Sequence, residues 1–238
     1  MENFKEEFIL NFVAENRWKF ITSGLKNTLV ITFASLIIGV FLGILVAVIR
    51  SSYDKNANEM RKGMKKFLLW FFNILCKVYL TVIRGTPVVV QLMIMYYIIF
   101  ASSRNSLMIA ILAFGINSGA YVAEIVRSGI MSIDQGQFEA GRSLGLDYKS
   151  TMWYIIIPQA FKNILPALAN EFIVLLKETS VAGYVTIRDL TMGGNIIRAA
   201  TYSPFMPLVA VAVIYLVLVM FFTKLVNILE RRLRKSER

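Results

Sequence analysis

The sequence predicts an all-α membrane protein with about five transmembrane helices, an N-terminal interfacial helix and one long cytoplasmic insert. Three observations carry that prediction. The 238-residue chain is 57% hydrophobic with a mean hydropathy of +0.61, more apolar side chain than a soluble core of this size can bury. Long runs without charge recur along it. One stretch, FEAGRSLGLDYKSTMWYIIIPQAF (Phe138 to Phe161), interrupts those runs with glycines, charges and hydroxyls.

The elements follow in order. Residues 1–26 are semi-apolar, with Phe4, Phe8 and Phe12 on one helical face, which reads as a helix lying on the outer membrane surface. Mixed charge and the lack of a cleavage pattern argue against a signal peptide. Asn27 to Ile49 holds no charged residue, and a helix of that length covers roughly 35 Å, enough for a ~30 Å hydrocarbon core. Phe67 to Phe100 is apolar apart from Lys77 and Arg84 and reads as one crossing, with its first turns at the interface and a break near Gly85 and Pro87. Asn105 to Ala123 and Ala199 to Thr223 are further uncharged runs. Asn163 to Ile187 carries Glu171, Lys177 and Glu178, so it reads as a crossing that faces protein or water. The transmembrane domain is taken as 27–229 and the basic tail as 230–238.

Lys and Arg then set the orientation, because cytoplasmic loops collect them. Arg50 to Lys66 holds six, Arg127 to Lys162 four and Lys224 to Arg238 six; the alternate segments hold four, one and two. The N-terminus is therefore expected outside and the tail in the cytoplasm. The net charge of +11 is read as topology, with anionic lipid as a secondary partner and no nucleic acid. With one cysteine and no histidine, an internal disulfide, histidine catalysis and most transition-metal sites are excluded.

Within the insert, Gln137 to Leu144 are good helix formers, Gly145 is placed to end a short helix, LDYKS reads as a turn, and Pro158 as the start of the next membrane helix. Such a knob suits a groove on another protein; the plain alternative is a solvated connector. Glu139 is read near the helix start, as a cap or as a partner for a cation on another subunit.

Here the chain resembles a known family. Glu139, Ala140 and Gly141, then Gly145, then Ile155, Ile157 and Pro158 are similar to the EAA signature of ABC importer permeases: Glu-Ala-Ala, three residues, Gly, nine residues, Ile, one residue, Leu-Pro. Gly141 stands for the second Ala and Ile157 for Leu, both read as conservative. IRGTPVVVQL (Ile83 to Leu92), NSGAYVAEIVRSGI (Asn117 to Ile130), GQFEAGRSLG and LLKETSVAG (Leu175 to Gly183) resemble the polar amino acid uptake branch; KETS departs mildly from the usual Lys-Asp-Thr-Ser. The resemblance implies the type I importer fold in a bacterial inner (cytoplasmic) membrane and a coupling loop at 138–158, with Glu139, Ala140, Gly141, Gly145 and Pro158 meeting the ATPase. It also implies a second copy or related permease, two ATP-binding cassette subunits that hold ATP and Mg, and an extracytoplasmic amino-acid-binding protein. Independently, the chain has no Gly-rich Lys-Ser/Thr phosphate loop, so it is not expected to hydrolyse ATP itself.

An amino acid needs acceptors for its ammonium and donors for its carboxylate. Asn117, Tyr121 and Glu124 fall at i, i+4 and i+7; Glu171 and Glu178 are also i and i+7, so each set shares a helical face. Asn117, Glu171 and Glu178 are candidates for an ammonium or cationic side chain, Tyr121 lies beside them, and Lys177 with Thr179 and Ser180 can take a carboxylate. The competing reading pairs Glu124 with Arg127 and uses Lys177 and Glu178 to fix helix packing. Met93, Met95, Tyr96 and Tyr97 read as packing. The two carboxylates tilt the substrate toward a polar or cationic amino acid. A secondary transporter driven by an ion gradient, or a scaffold subunit without a pathway, remains as an alternative.

Overall fold

The computed structural model describes residues 2–56 and 63–235; Arg61 and Lys62 of the basic stretch and the last three residues of the tail lie outside them. Every regular element among the described residues is helical. Helix α1 (Glu2–Phe8) passes into a π-helical turn (Ile9–Val13), and the chain kinks at Glu15 and Asn16, both left-handed at φ 53° and 56°. The long helix α2 (Trp18–Asn56, 39 residues) covers about 58 Å at ~1.5 Å per residue, well beyond a hydrocarbon core. The residues Trp18 to Lys26 are thus its first turns.

Helix α3 (Met64–Gly85) stops where the sequence places a break. Pro87 is extended (φ −64°, ψ 136°) and caps α4 (Val88–Ile94), which runs into a π-helical turn, Met95–Ile99. Proline has no N–H to continue the ladder. The carbonyl of Thr86, freed by the break, instead accepts from the side chain of Gln91 at 3.0 Å, the kind of internal repair that lipid demands. Helix α5 (Ser106–Met131) begins behind Asn105, whose side chain accepts from Met108 N. After the insert come α8 (Ile157–Glu178), a 3₁₀ segment (Thr179–Val185), α9 (Leu190–Thr201) capped by Asp189, and α10 (Phe205–Lys235).

Among the described residues, four helices, α2, α3, α5 and α10, are long and apolar enough to cross a membrane. Helix α8, the remaining expected crossing, has 22 residues and is long enough for a ~30 Å core, but it carries Lys162, Glu171, Lys177 and Glu178. On α2, Phe33, Ile37, Phe41, Ile44 and Val48 are all exposed and fall on one face, as a lipid-facing surface requires.

The chain divides into two compact units. The first comprises residues 1–38, 86–116 and 172–224; the second comprises 39–85, 117–171 and 225–238. The first has its core around Phe114, Ile31, Leu92, Ile109, Leu175 and Val185, and a second cluster around Ile21, Leu190, Ile197 and Val211. Buried Thr28 accepts from Leu190 N at 3.1 Å, and buried Asn11 accepts from the Thr201 hydroxyl at 2.8 Å, which ties the N-terminal segment to α9. In the second unit the core gathers Val46, Cys76, Leu80, Ala120 and Ala123, and Ala47, Val122 and Val126. Its helices approach closely through small residues: a Cβ at Gly43 would stand 2.5 Å from Val122 Cγ1, and one at Gly119 2.7 Å from the Tyr79 hydroxyl.

The polar insert belongs to the second unit. Asp134 caps α6 (Gln135–Ser143), accepting from Gly136 N at 2.6 Å. At its end Gly145 takes φ 77°, with Leu146 N donating to Gly141 O (3.0 Å) and Gly145 N to Arg142 O (2.9 Å), the paired bonds of a Schellman stop. The chain then restarts earlier than the sequence suggests. Asp147 caps α7 (Tyr148–Thr151), accepting from Ser150 N at 3.0 Å, and helical turns continue through a π segment, Met152–Ile156, into α8. LDYKS is thus a cap and a first turn. Pro158 does not open the next helix but sits ten residues beyond its start. The wide π turn just before it takes up the mismatch that a proline imposes on the preceding carbonyls, and the Gln159 side chain donates to Ile155 O at 2.9 Å.

Candidate functional site

In the insert, α6 and α7 pack through a buried contact between Gly141 and Thr151. Thr151 is 2% exposed, and a Cβ added at Gly141 would stand 2.7 Å from its Cγ2 and 2.8 Å from its Oγ1. Glu139 and Ala140 face outward, as do Arg142, Ser143 and Leu144, so the knob presents a mixed surface one helix wide. Glu139 is the fifth residue of α6; the cap belongs to Asp134, and the Glu139 carboxylate is left projecting from the exposed face. Hydrogen bonds from the Ser150 hydroxyl and amide hold the Asp147 carboxyl below its ordinary range, so the second cap stays charged.

The intramembrane candidates separate. Asn117 (2% exposed) and Glu171 (8%) belong to the second unit. Glu171 Oε1 accepts from the Ser118 hydroxyl at 2.9 Å, a buried bond from α5 to α8 that gives this carboxylate a packing role. Lys177, Glu178, Thr179 and Ser180 belong to the first unit. There Lys177 is exposed, Glu178 half-buried and Thr179 buried, with the Thr179 hydroxyl donating back to Leu176 O at 2.8 Å. Ser180 lines a polar cavity of about 320 Å³ with Gly183, Tyr184, Asp189, Thr191, Met192 and Asn195.

Tyr121 lies elsewhere, in an open cavity of about 690 Å³ within the second unit, lined by Arg50, Lys77, Leu80, Thr81, Arg84, Gly85 and Tyr121. Arg84 stands 6.0 Å over the Tyr121 ring, within cation–π range, and its guanidinium donates to Glu124 Oε2 at 3.5 Å. Glu124 therefore pairs across to α3, forty residues away, rather than one turn along to Arg127. Sequence reasoning passed over the partner stripe: Lys77, Thr81 and Arg84 fall at i, i+4 and i+7, the same spacing as Asn117, Tyr121 and Glu124. Two polar stripes of equal period, one per helix, were the available signal; Arg50 carried none, standing at the end of an apolar run. Of the sequence candidates, the structure places Tyr121 in this cavity, Ser180 in the other, and Glu171 in a helix contact.

Residues 63–235 match the family model described as the binding-protein-dependent transport system inner membrane component. The chain is 37% identical over 221 residues to the arginine transport system permease protein ArtQ of Bacillus subtilis, covering 92% of this chain and 94% of the relative. It is 35% identical over 219 residues to the glutamine transport system permease protein GlnP of Escherichia coli, covering 90% and 93%. Among solved structures, a chain of an amino acid ABC transporter crystallised with histidines superposes with a TM-score of 0.79 at 41% identity, over 90% of this chain and 94% of that one. The inward-facing MetNI methionine transporter superposes at 0.75 with 19% identity, over 92% and 99%, and shows the shared fold. By family match, near full-length identity and superposition, this chain belongs to the binding-protein-dependent transport system inner membrane components, the permeases of ABC importers.

Proposed function

We propose that the chain is the translocating subunit of an ATP-driven importer of polar amino acids. The observation that carries this reading is the insert. A capped helix, a left-handed glycine stop and a second capped helix are welded by a glycine–threonine contact into a small rigid projection, continuous with α8 and offering Glu139, Ala140 and Leu144 outward. A projection of that kind suits a groove on a motor subunit. In this reading two ATP-binding cassette subunits hold ATP and Mg and receive one insert each. A second copy or a related permease completes the pathway, and an extracytoplasmic binding protein delivers the amino acid. Closure of the motors moves the inserts together and exchanges inward-open for outward-open states. The N-terminus lies outside and the basic tail in the cytoplasm. Tyr121 and Ser180, each lining a cavity within its own unit, and the half-buried Glu178 are the candidates to touch substrate; Asn117 and Glu171 sit too deep among packed helices for that role without movement.

The test is uptake of labelled amino acids into proteoliposomes holding the permease, its ATPase subunits and binding protein. Uptake should require ATP, stop when the ATPase subunits are omitted, and fall sharply with Glu139→Arg while the permease still assembles. Uptake that persists without the ATPase subunits under an ion gradient would instead identify a secondary transporter. Assembly without any uptake would leave a scaffold.

A further inference from the structure

The cavity at Tyr121 holds more positive charge than the described residues around it neutralise. Arg50, Lys77 and Arg84 all line it, and the one ion pair formed there among the described residues is Arg84 with Glu124. Arg50 Nε is buried with no hydrogen-bond partner. Arg50, part-buried, and Lys77, exposed, form no ion pair among the described residues and face this shared space, and cations grouped in a membrane protein favour a counter-charge.

The lining decides what kind of anion fits. Five of its seven residues are polar or charged, and Leu80 is its one aliphatic side chain. An acyl chain finds little apolar surface beyond Leu80 and the Tyr121 ring, whereas a small hydrated solute finds guanidinium, ammonium and hydroxyl donors on Arg50, Lys77, Thr81 and Arg84. We propose that this cavity is an anion site for solute carboxylates, and that the amino acid it takes best is an acidic one. The proposal rests on the amino acid importer reading and adds a charge class to it. A zwitterion brings one carboxylate together with an ammonium, and so leaves the surplus standing. A second carboxylate reduces it, while a basic side chain adds to it.

The test uses the permease–ATPase complex in lipid nanodiscs without the binding protein, so that selectivity belongs to the membrane subunit. Binding of labelled L-glutamate, L-glutamine and L-arginine is measured by scintillation proximity. Glutamate should bind at least about tenfold more tightly than arginine, the scale of one charge-assisted contact. Lys77→Gln and Arg50→Gln should each weaken glutamate by about tenfold, and Lys77→Arg should retain most of the binding. Co-elution with the ATPase subunits checks that each variant is folded. Arginine bound as tightly as glutamate, or glutamate binding indifferent to both glutamine variants, overturns the proposal. So does loss of glutamate binding when neutral lipid is replaced by phosphatidylglycerol, which would give the cavity to a lipid phosphate. If the complete importer takes up arginine or glutamine but glutamate does not bind, the charge class alone is wrong. If it takes up none of the three, the amino acid reading falls with it.

Discussion

Gly141 occupies the position where the importer signature carries its second alanine, and the structure makes that difference consequential. An alanine Cβ there would lie 2.7 Å from Thr151 Cγ2 and 2.8 Å from Oγ1, against an ordinary carbon–carbon contact of about 3.5–4.0 Å. Helices α6 and α7 would have to part by most of an ångström. Overpacking of this kind costs about 1–3 kcal/mol, offset by the roughly 0.5–1 kcal/mol that alanine gains over glycine within a helix. The net loss for Gly141→Ala is about 1–2 kcal/mol, confined to the insert. Amide exchange of residues 135–146 in the assembled complex should therefore quicken about 5- to 30-fold, and ATP-dependent uptake should fall without loss of membrane insertion. The sign should reverse in a Thr151→Ala background. There the two nearest atoms are gone, the next neighbour is the Cβ at 3.3 Å, and alanine at 141 becomes neutral or favourable. Exchange unchanged by Gly141→Ala, or the same slowing or quickening in both backgrounds, would refute the steric argument.

Three other outcomes follow from the same geometry. Gly145→Ala forces a Cβ into the left-handed region at φ 77° and should cost about 1–2 kcal/mol, read as faster exchange of the Gly145 and Leu146 amides. Ser118→Ala removes the donor to buried Glu171; within a membrane domain the loss should be about 1 kcal/mol, and Ser118→Thr, which keeps a hydroxyl, should recover part of it in thermal unfolding of the complex. The Asp147 cap should be pH-dependent. Its carboxyl is depressed in the folded state by Ser150, so its stabilisation is complete above the unfolded carboxylate value of about 3.9 and disappears as pH falls through the lower folded value. Exchange at Tyr148 to Thr151 should rise in that acid window in the native chain and be insensitive to it in Asp147→Asn.

Much of the architecture was legible because lipid imposes simple rules on a sequence. Charge-free runs marked α2, α5 and α10, and Gly85 with Pro87 marked the break, since few residue pairs disrupt a helix ladder so directly. Gly145 announced the helix stop. What escaped depended on partners distant in sequence or on competing local signals. Pro158 looked like a helix start because proline favours first turns, yet Asp147 offers a stronger one eleven residues earlier, and a π turn lets the helix pass the proline. Glu139 resembled a cap only while the nearer Asp134 was overlooked. Arg127 was the nearest cation to Glu124 along the helix, but Arg84 reaches it from another helix. The Glu171 carboxylate, read as a substrate ligand, is held by Ser118, a residue whose hydroxyl carries no sequence signature of its own.

The continuous helical run from Tyr148 to Glu178 has a mechanical meaning. A connector of ordinary loop would behave as a slack cord, soaking up any displacement applied to its tip before the span behind it moved. Here the tip runs on as helix into the span, and the regular ladder is interrupted at two places, the wide turn at Met152–Ile156 with Pro158 behind it and Pro166 inside α8. A push delivered to the insert therefore meets helical material with defined joints. Shortening the wide turn to a regular helix would change the angle at which force arrives while leaving its strength intact, so part of the gear ratio between insert and span is written in those few residues.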